Sequence, residues 1–182
     1  HDSLRWVYAT CPTARTTCQT PAGTFLGIEE WIYTGIVNLP GPCADWNFSV
    51  STNARNATIS TIGANPQVSL YVYTLMNNVI APCNNSPTFS NKPVPLACVG
   101  QQFNFNHGAY DADGDSIAYS LITPKITATQ DVTYDASHSY LNPVQSSTGT
   151  IFNPATGDFV VKPDIVEVTI FAVLVSEYRN GV

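Results

Sequence analysis

The apolar residues of this chain alternate with polar ones or form short runs, and most of them are β-branched or aromatic. Such spacing is typical of half-buried strands rather than of helices. Pro, Gly, Asn and Asp separate the runs at the intervals found in all-β proteins. The pattern predicts strands at Leu4–Thr10, Glu30–Asn38, Trp46–Ser51, Val68–Asn77, Gln102–Asn106, Ser116–Leu121, Thr150–Asn153, Asp158–Val161 and Val166–Ser176. We therefore predict an all-β fold.

Short strands punctuated by turns at this interval are typical of antiparallel β-sandwiches of the immunoglobulin type. The chain has 182 residues, which is enough for one large β domain or two small ones. The proline-rich segment Pro82–Pro95 is the most evident boundary. We predict two tandem sandwiches, the first over residues 1–84 and the second over residues 85–182.

Charge limits the classes of partner. Thirteen acidic and seven basic residues give a net charge of −6, and the basic residues are scattered from Arg5 to Arg179. Nucleic-acid binding needs a clustered basic face, so we predict no such partner. No apolar run is long enough to span a bilayer, so we predict no membrane insertion. Low charge together with many Thr, Ser, Asn and Pro residues favours an exported protein.

The five cysteines favour local disulfides in an oxidising compartment over zinc ligands, because neither their spacing nor the dispersed histidines suit a zinc site. We predict bridges between Cys11 and Cys18 and between Cys83 and Cys98. Free buried thiols are the alternative, and pairing of Cys43 with Cys11 or Cys18 is a variant. Otherwise Cys43 is left as a buried apolar residue or as a partner for a thiol outside this chain.

The sequence Asp111-Ala-Asp-Gly-Asp is the strongest candidate for a binding site. Its three carboxylates, Asp111, Asp113 and Asp115, repel one another unless a cation or hydrogen-bond donors compensate them, and oxygen ligands suit calcium. The spacing is not that of an EF-hand, since the twelfth position is Ile122. The alternative is an Asp-Gly turn in which Asp side chains accept hydrogen bonds from backbone amides.

Three phrases of the second half resemble cadherin-like immunoglobulin-type modules of bacterial surface proteins. They begin at Cys98 (CVGQQFNFN), Ala109 (AYDADGDSIAYSL) and Phe152 (FNPATGDF), and a linker-like phrase begins at Asn85 (NSPTF). Phrases at Gly27, Cys43, Ala54 and Glu177 extend the likeness. Nearly the whole chain then resembles the repeating unit of large, secreted, gliding-motility-associated surface proteins of Bacteroidetes.

This resemblance implies a cadherin-like second sandwich and a structural or adhesive role at the bacterial cell surface, without enzymatic activity. It also implies that the Asp cluster would bind calcium together with the preceding linker. The matching linker residues are Asn84 and Asn85, neutral amides where cadherins carry Asp. We therefore predict Asn85 as a fourth, weak calcium ligand.

No catalytic motif supports an enzyme. The GxSxG elbow of serine hydrolases is missing, and the carboxylates that a glycosidase needs have no evident cleft. A secreted hydrolase is thus the least favoured function. A carbohydrate-binding module is the main alternative to a structural module, and its sugar platform would come from Trp6, Trp31, Trp46, Tyr71 and Tyr73. In strands, such aromatic residues are more often part of the core.

Two further interactions are predicted. Arg55 is the only basic residue between Arg15 and Lys92, so we predict a structural salt bridge from it to one of the carboxylates Glu29, Glu30 and Asp45. Asn180-Gly181 is a hairpin-turn signal. The edge of the last predicted strand would therefore be covered by a continuation of the polypeptide, as one bead of a long surface chain, or by a neighbouring copy in a filament.

Overall fold

The computed structural model describes residues 3–7, 17, 20, 22, 28–63, 68–93 and 95–181. Over these residues the chain is all-β without a helix, which confirms the predicted class. It has no helix with the length and hydrophobicity needed to cross a bilayer in this part. The strands are β1 (Ser3–Val7), β2 (Ile28–Ile32), β3 (Trp46–Thr52), β4 (Leu70–Met76), β5 (Thr88–Phe89), β6 (Phe103–Phe105), β7 (Ala109–Tyr110), β8 (Ser116–Ile122), β9 (Thr150–Phe152), β10 (Phe159–Val161) and β11 (Ala172–Tyr178).

Each strand pairs antiparallel with its neighbour in one of several small sheets. The described pairs are β1–β2, β3–β4, β5–β7 and β8–β11, and β10 lies between β6 and β9. The two longest ribbons, β3–β4 and β8–β11, each pair seven residues of one strand with seven of the other. The register of β8 and β11 sets Tyr178 opposite Ser116, and this pair brings the functional side chains together.

The chain divides into two compact units. The smaller unit comprises His1–Gly41 and Lys92–Leu96, and the larger unit comprises Pro42–Asn91 and Ala97–Val182. The predicted boundary between residues 84 and 85 therefore lies inside the larger unit. The reason is a set of long-range backbone hydrogen bonds, such as Tyr71 N–H to the Lys125 carbonyl (3.1 Å) and Ser60 N–H to the Val168 carbonyl (2.9 Å). These bonds cannot be read from the sequence pattern.

The larger unit has two apolar clusters. In one, Leu121, Phe159 and Val161 are buried, and partly buried residues such as Phe171 and Val173 pack against them. The rings of Phe159 and Phe171 stack at 4.7 Å between centroids. The other cluster is formed by the buried residues Ile59, Ile62 and Val132. Leu121 of β8 and Val173 of β11 lie opposite each other and both belong to the first cluster.

The turn between β9 and β10 forms where Asn153-Pro-Ala-Thr-Gly-Asp predicted one. The Asn153 side chain accepts the Ala155 N–H (2.9 Å), and the Gly157 N–H donates to the Asn153 carbonyl (2.8 Å). Gly157 has a φ of +76°, and a Cβ there would lie 2.8 Å from the Tyr119 ring. Glycine is therefore required twice, for the left-handed backbone and for the close approach.

Two predicted strands are shorter or shifted in the structure. The strand predicted at Glu30–Asn38 ends at Ile32, because Ile32 pairs with Ser3 at the beginning of β1. The strand predicted at Val166–Ser176 is displaced to β11. Its first residues form isolated bonds instead of a ladder: the Val168 carbonyl accepts the Ser60 N–H (2.9 Å), and the Thr169 hydroxyl accepts from the Thr61 hydroxyl (2.9 Å) and donates to the Pro143 carbonyl (2.5 Å).

Candidate functional site

The Asp-rich loop joins β7 to β8 and is organised by its first carboxylate. Asp111 Oδ1 accepts the N–H groups of Asp113 and Asp115, both at 2.9 Å. Gly114 provides the left-handed residue of the turn with a φ of +80°. Asp111 is only 4% exposed. The turn geometry that was the alternative to a calcium loop is therefore present.

The guanidinium of Arg179 binds two of the loop's carboxylates. Its Nε and Nη2 donate to Asp115 Oδ1 (3.0 Å) and Oδ2 (2.7 Å), a bidentate contact, and Nη2 also reaches Asp113 Oδ2 (3.0 Å). The strand register explains this position. Because Tyr178 pairs with Ser116, the next residue along β11 comes opposite the residue that precedes β8. Planar, charge-assisted bonds of this kind are among the strongest polar contacts in proteins.

The segment that precedes β5 is tied to the same group. Asn85 donates its N–H to Asp113 Oδ2 (2.7 Å) and its side-chain amide to Asp113 Oδ1 (2.8 Å). Asn84 accepts a bond from Arg179 (2.8 Å) and donates to Glu177 Oε2 (3.1 Å). These contacts and those of Arg179 form one network of Asn84, Asn85, Asp111, Asp113, Asp115, Glu177 and Arg179, which we call the clasp. The predicted ligand Asn85 thus acts as a hydrogen-bond donor.

The clasp separates the pKa values of its carboxyl groups. Hydrogen bonds from the backbone and side chain of Asn85 hold the pKa of Asp113 below its usual range. The Asp115 N–H and a hydrogen bond with Glu177 lower the pKa of Asp111. Burial, and then the hydrogen bond with Asp111, raise the pKa of Glu177 to about 7. Asp111 Oδ2 and Glu177 Oε1 are buried without a hydrogen-bond partner, a need that protonation of Glu177 would reduce.

The clasp residues could also hold a cation. One carboxylate oxygen from each of Asp111, Asp113 and Asp115 lies within 4.8 Å of the others. Calcium needs six to eight oxygen ligands, whereas both oxygens of Asp115 and one of Asp113 already accept hydrogen bonds from Arg179. As the side chains stand, they do not fit a calcium ion. Arg179 sets one positive charge against the carboxylates of Asp113 and Asp115, while Asp111 is held by backbone N–H groups.

A second charged cluster was not predicted from the sequence. The ring of His138 lies between Asp135 Oδ1 (2.7 Å from Nδ1) and Glu167 Oε2 (3.0 Å from Nε2). The side chains of His138 and Glu167 are 5% and 6% exposed, and Glu167 also accepts the Gln145 N–H (2.7 Å). A carboxylate at each ring nitrogen favours the protonated imidazolium, in which both ring nitrogens donate.

Burial alone would lower the pKa of His138, but the hydrogen bonds and charges of Asp135 and Glu167 outweigh it and raise the pKa. The Asp135-x-x-His138 spacing is a local signal that could have suggested the first contact. Nothing local identifies Glu167, which lies 29 positions from His138 in the chain. We refer to Asp135, His138 and Glu167 as the histidine triad.

The predicted bridge between Cys83 and Cys98 is not formed, because both are free, exposed thiols. Different parts of the larger unit hold the two ends of this segment. Cys83 precedes Asn84, which belongs to the clasp, whereas Cys98 lies close to Gly100, whose N–H donates to the Pro163 carbonyl (2.8 Å). Cys83 and Cys98 are close in the sequence, but the fold does not bring them together in the geometry of a disulfide.

The other cysteine predictions have different outcomes. Cys11 and Cys18 lie outside the described residues. Cys43 is a free, half-buried thiol, and its Sγ donates to Asp45 Oδ1 (3.0 Å). It is therefore held by a polar contact rather than as a purely apolar residue.

Within the described part of the larger unit, Arg55 forms no salt bridge to Asp45, one of its three predicted partners. Arg55 donates instead to the Lys125 carbonyl (2.8 Å), and its own N–H donates to the Val68 carbonyl (2.9 Å). Its predicted partners have other contacts: Glu29 accepts from Trp31 (3.2 Å), Glu30 pairs with Lys92, and Asp45 accepts from Cys43. A single cation in a long stretch of sequence thus bonds to backbone oxygen, which sequence spacing cannot exclude.

The clasp therefore joins a linker segment, a loop and a strand end into one network. Comparison with protein-family models, curated proteins and solved structures finds no match for this chain. Function must accordingly be inferred from the chemistry of the site. That chemistry is a network of charge-assisted hydrogen bonds in which Arg179 binds Asp113 and Asp115.

Proposed function

We propose that this chain is a non-catalytic structural or adhesive module of an exported bacterial cell-surface protein. The observation that carries the proposal is the clasp. Its strongest charged groups bind one another, and they fix the segment at Asn84–Asn85 to the end of β11. Such a network resists separation of the segment from the strand, which a module under load requires.

The proposal includes a finer fold and setting. Two tandem immunoglobulin-like or cadherin-like sandwiches would form one bead of a long surface chain or one subunit of an extracellular filament. The likeness of the Asp-rich phrase to cadherin-like modules supports this arrangement, with Arg179 in the role that a cation has in that family. The partners would be neighbouring domains of the same polypeptide or copies of the chain that meet through β-edges.

A carbohydrate-binding module is the second candidate. Two of the aromatic residues predicted for its sugar platform, Tyr71 and Tyr73, lie side by side with 6.0 Å between their ring centroids. Their planes are tilted by 31° and both residues are half-buried, so they do not form the flat, open platform on which a sugar ring stacks. Saturable binding on a glycan array that Tyr73→Ala abolishes would favour this candidate over the structural one.

Single-molecule force unfolding tests the structural role. In Arg179→Gln the clasp loses its cation, and we expect the larger unit to unfold about tenfold faster or more under the same load, because bonds to charged groups are the strong ones. Lys162→Gln is the matched control, since Lys162 is an exposed cation of the same unit. Equal unfolding rates for Arg179→Gln and the wild type would refute a structural role for the clasp.

Location is tested separately with antibodies against the purified chain. We expect them to label intact, unpermeabilised cells of the producing bacterium. Labelling that appears only after the cells are permeabilised would contradict a surface location.

A further inference from the structure

Three phenylalanine rings surround the side chain of His107 in the larger unit. The centroid of the His107 ring lies 4.8 Å from that of Phe105, 5.9 Å from that of Phe171 and 6.2 Å from that of Phe89. All three contacts are edge-to-face, an arrangement that aromatic rings prefer. The rings come from β6, from the residue before β11 and from β5. His107 therefore lies where three separate segments of the chain meet.

The backbone at His107 holds one of these segments, Thr88–Asn91. The N–H of Asn91 donates to the His107 carbonyl (3.1 Å), and the N–H of Ser90 donates to the Gly108 carbonyl (3.0 Å). Gly108 has a φ of +63°, and a Cβ there would lie 2.1 Å from Ser90 Oγ. The segment thus approaches His107 so closely that only glycine fits at the next position.

The surroundings of His107 differ from those of His138. Each ring nitrogen of His138 has a carboxylate partner, whereas no described carboxylate forms an ion pair with His107. Asp158 is bonded to the adjacent residue Asn106 (2.8 Å). It does not raise the pKa of His107, which burial lowers. A proton on His107 therefore has no counter-charge, and a buried charge without a partner is costly.

The segments that pack against His107 add no charge of their own. Thr88–Asn91 and Phe103–Phe105 contain no titratable side chain, and Phe171 is flanked by Ile170 and Ala172. The ring of His107 is thus enclosed by apolar and neutral groups on each of these sides.

Of the three rings, that of Phe89 is the easiest to displace. Phe89 is 54% exposed, whereas Phe105 and Phe171 are half-buried, and Phe171 also stacks on the buried ring of Phe159. Strand β5 pairs only two of its residues with β7. A short, exposed strand opens at a lower free-energy cost than the core. Water therefore reaches His107 most readily when Phe89 and its segment move away.

We propose that His107 is an acid-sensitive latch for the segment Thr88–Asn91. The neutral ring holds the segment against the larger unit, and protonation of the ring releases it. Asn91 is the last residue of the larger unit before the chain enters the smaller unit at Lys92. The latch therefore fixes the point at which the chain leaves the larger unit. This inference is independent of the proposed surface function.

The direction of the pH dependence is opposite to that of His138. In the unfolded chain histidine titrates near 6.5, and burial lowers the pKa of His107 in the folded chain. The stability that the latch contributes is therefore fully present above about pH 6.5, and it is lost as the pH falls from there to the folded pKa. Mild acid thus favours the open segment.

Amide hydrogen exchange of Ser90 and Asn91 at about pH 7.5 and about pH 5 tests the latch. Each rate is expressed as a protection factor, relative to an unstructured peptide at the same pH. We expect both protection factors to fall about fivefold or more at the lower pH, because opening precedes exchange. His107→Phe keeps an aromatic ring that cannot be protonated, so its protection factors should not fall. An equal fall in the wild type and in His107→Phe would overturn the proposal, since every other titrating group is shared.

An NMR titration of the His107 ring tests the latch without replacing the histidine. We expect a pKa below 6.5 in the wild type and a higher pKa in Phe89→Ala, because water then reaches the ring. Tyr140→Ala is the matched control, since Tyr140 is an exposed aromatic residue with no described ring contact to His107. The pKa of His107 should be unchanged in this control. A wild-type pKa at or above 6.5, or a pKa that Phe89→Ala leaves unchanged, would overturn the proposal.

Discussion

Replacement of His138 by glutamine is the sharpest single test of how charge stabilises the larger unit. The imidazolium holds two carboxylates, one of them Glu167, whose side chain is 6% exposed. A hydrogen bond to a charged group contributes about 1.5–3 kcal/mol. Glutamine can replace only one of the two hydrogen bonds that the His138 ring makes to Asp135 and Glu167. Loss of the cation also leaves a buried carboxylate without its partner. We therefore expect the free energy of unfolding to fall by about 3 kcal/mol near pH 6.

The pH dependence of this difference follows from the raised pKa of His138. In the unfolded chain histidine titrates near 6.5. A folded pKa above that value contributes stability that is fully present below about pH 6.5 and is lost as the pH rises through the folded pKa. The free energy of unfolding of the wild type should therefore fall as the pH rises through the folded pKa of His138. The free energy of unfolding of His138→Gln should not show this fall.

Urea denaturation at several pH values from about 6 to 9 measures the difference between the two proteins. Groups that titrate alike in both cancel in this difference. The difference in free energy of unfolding between the wild type and His138→Gln should be largest near pH 6. It should become smaller as the imidazolium deprotonates at higher pH. Glu167→Gln is a companion variant that should also reduce the pH dependence. A gap that is absent at pH 6, or constant to pH 9, would refute the charged histidine triad.

Three further predictions concern the core, a turn and the thiols. Phe159→Ala should lower the free energy of unfolding, measured by chemical denaturation, by about 3–5 kcal/mol because a stacked, buried ring is removed. A decrease below about 1 kcal/mol would contradict the central position of Phe159 in the core. Gly157→Ala should cost about 2 kcal/mol or more by the same assay, since a left-handed alanine would also press on Tyr119; unchanged stability would contradict the turn geometry. Cys83 and Cys98 should both react with iodoacetamide in the native, unreduced protein, and protection of both until reductant is added would reinstate the bridge.

Local turn chemistry was the most predictable part of the structure. Asp111 accepts backbone amides as an Asp-Gly turn requires, and the six residues from Asn153 to Asp158 form the expected reversal. These features depend on residues a few positions apart. The all-β class was predictable for a similar reason, since the two-residue period is a local property of the sequence.

Contacts between distant segments were not predictable in the same way. Arg179 and Asp115 are 64 positions apart in the chain, yet β8 and β11 were both predicted as strands. Antiparallel pairing of the two could have indicated the contact, but nothing in the pattern fixes which strands pair or in which register. The Cys83–Cys98 bridge is not formed for the related reason that sequence spacing says little about distance in space.

The central claim is that Arg179, rather than a metal ion, holds the carboxylates of Asp113 and Asp115 together in the clasp. Thermal denaturation of the wild type in EDTA and in millimolar calcium tests it most directly, with Arg179→Gln measured alongside. We expect the two wild-type midpoints to coincide, because Arg179 already binds Asp113 and Asp115, and we expect a lower midpoint for the variant without calcium. The account would be contradicted if calcium raised the midpoint of the wild type but not that of Asp113→Asn. That result would show that an ion holds the clasp instead.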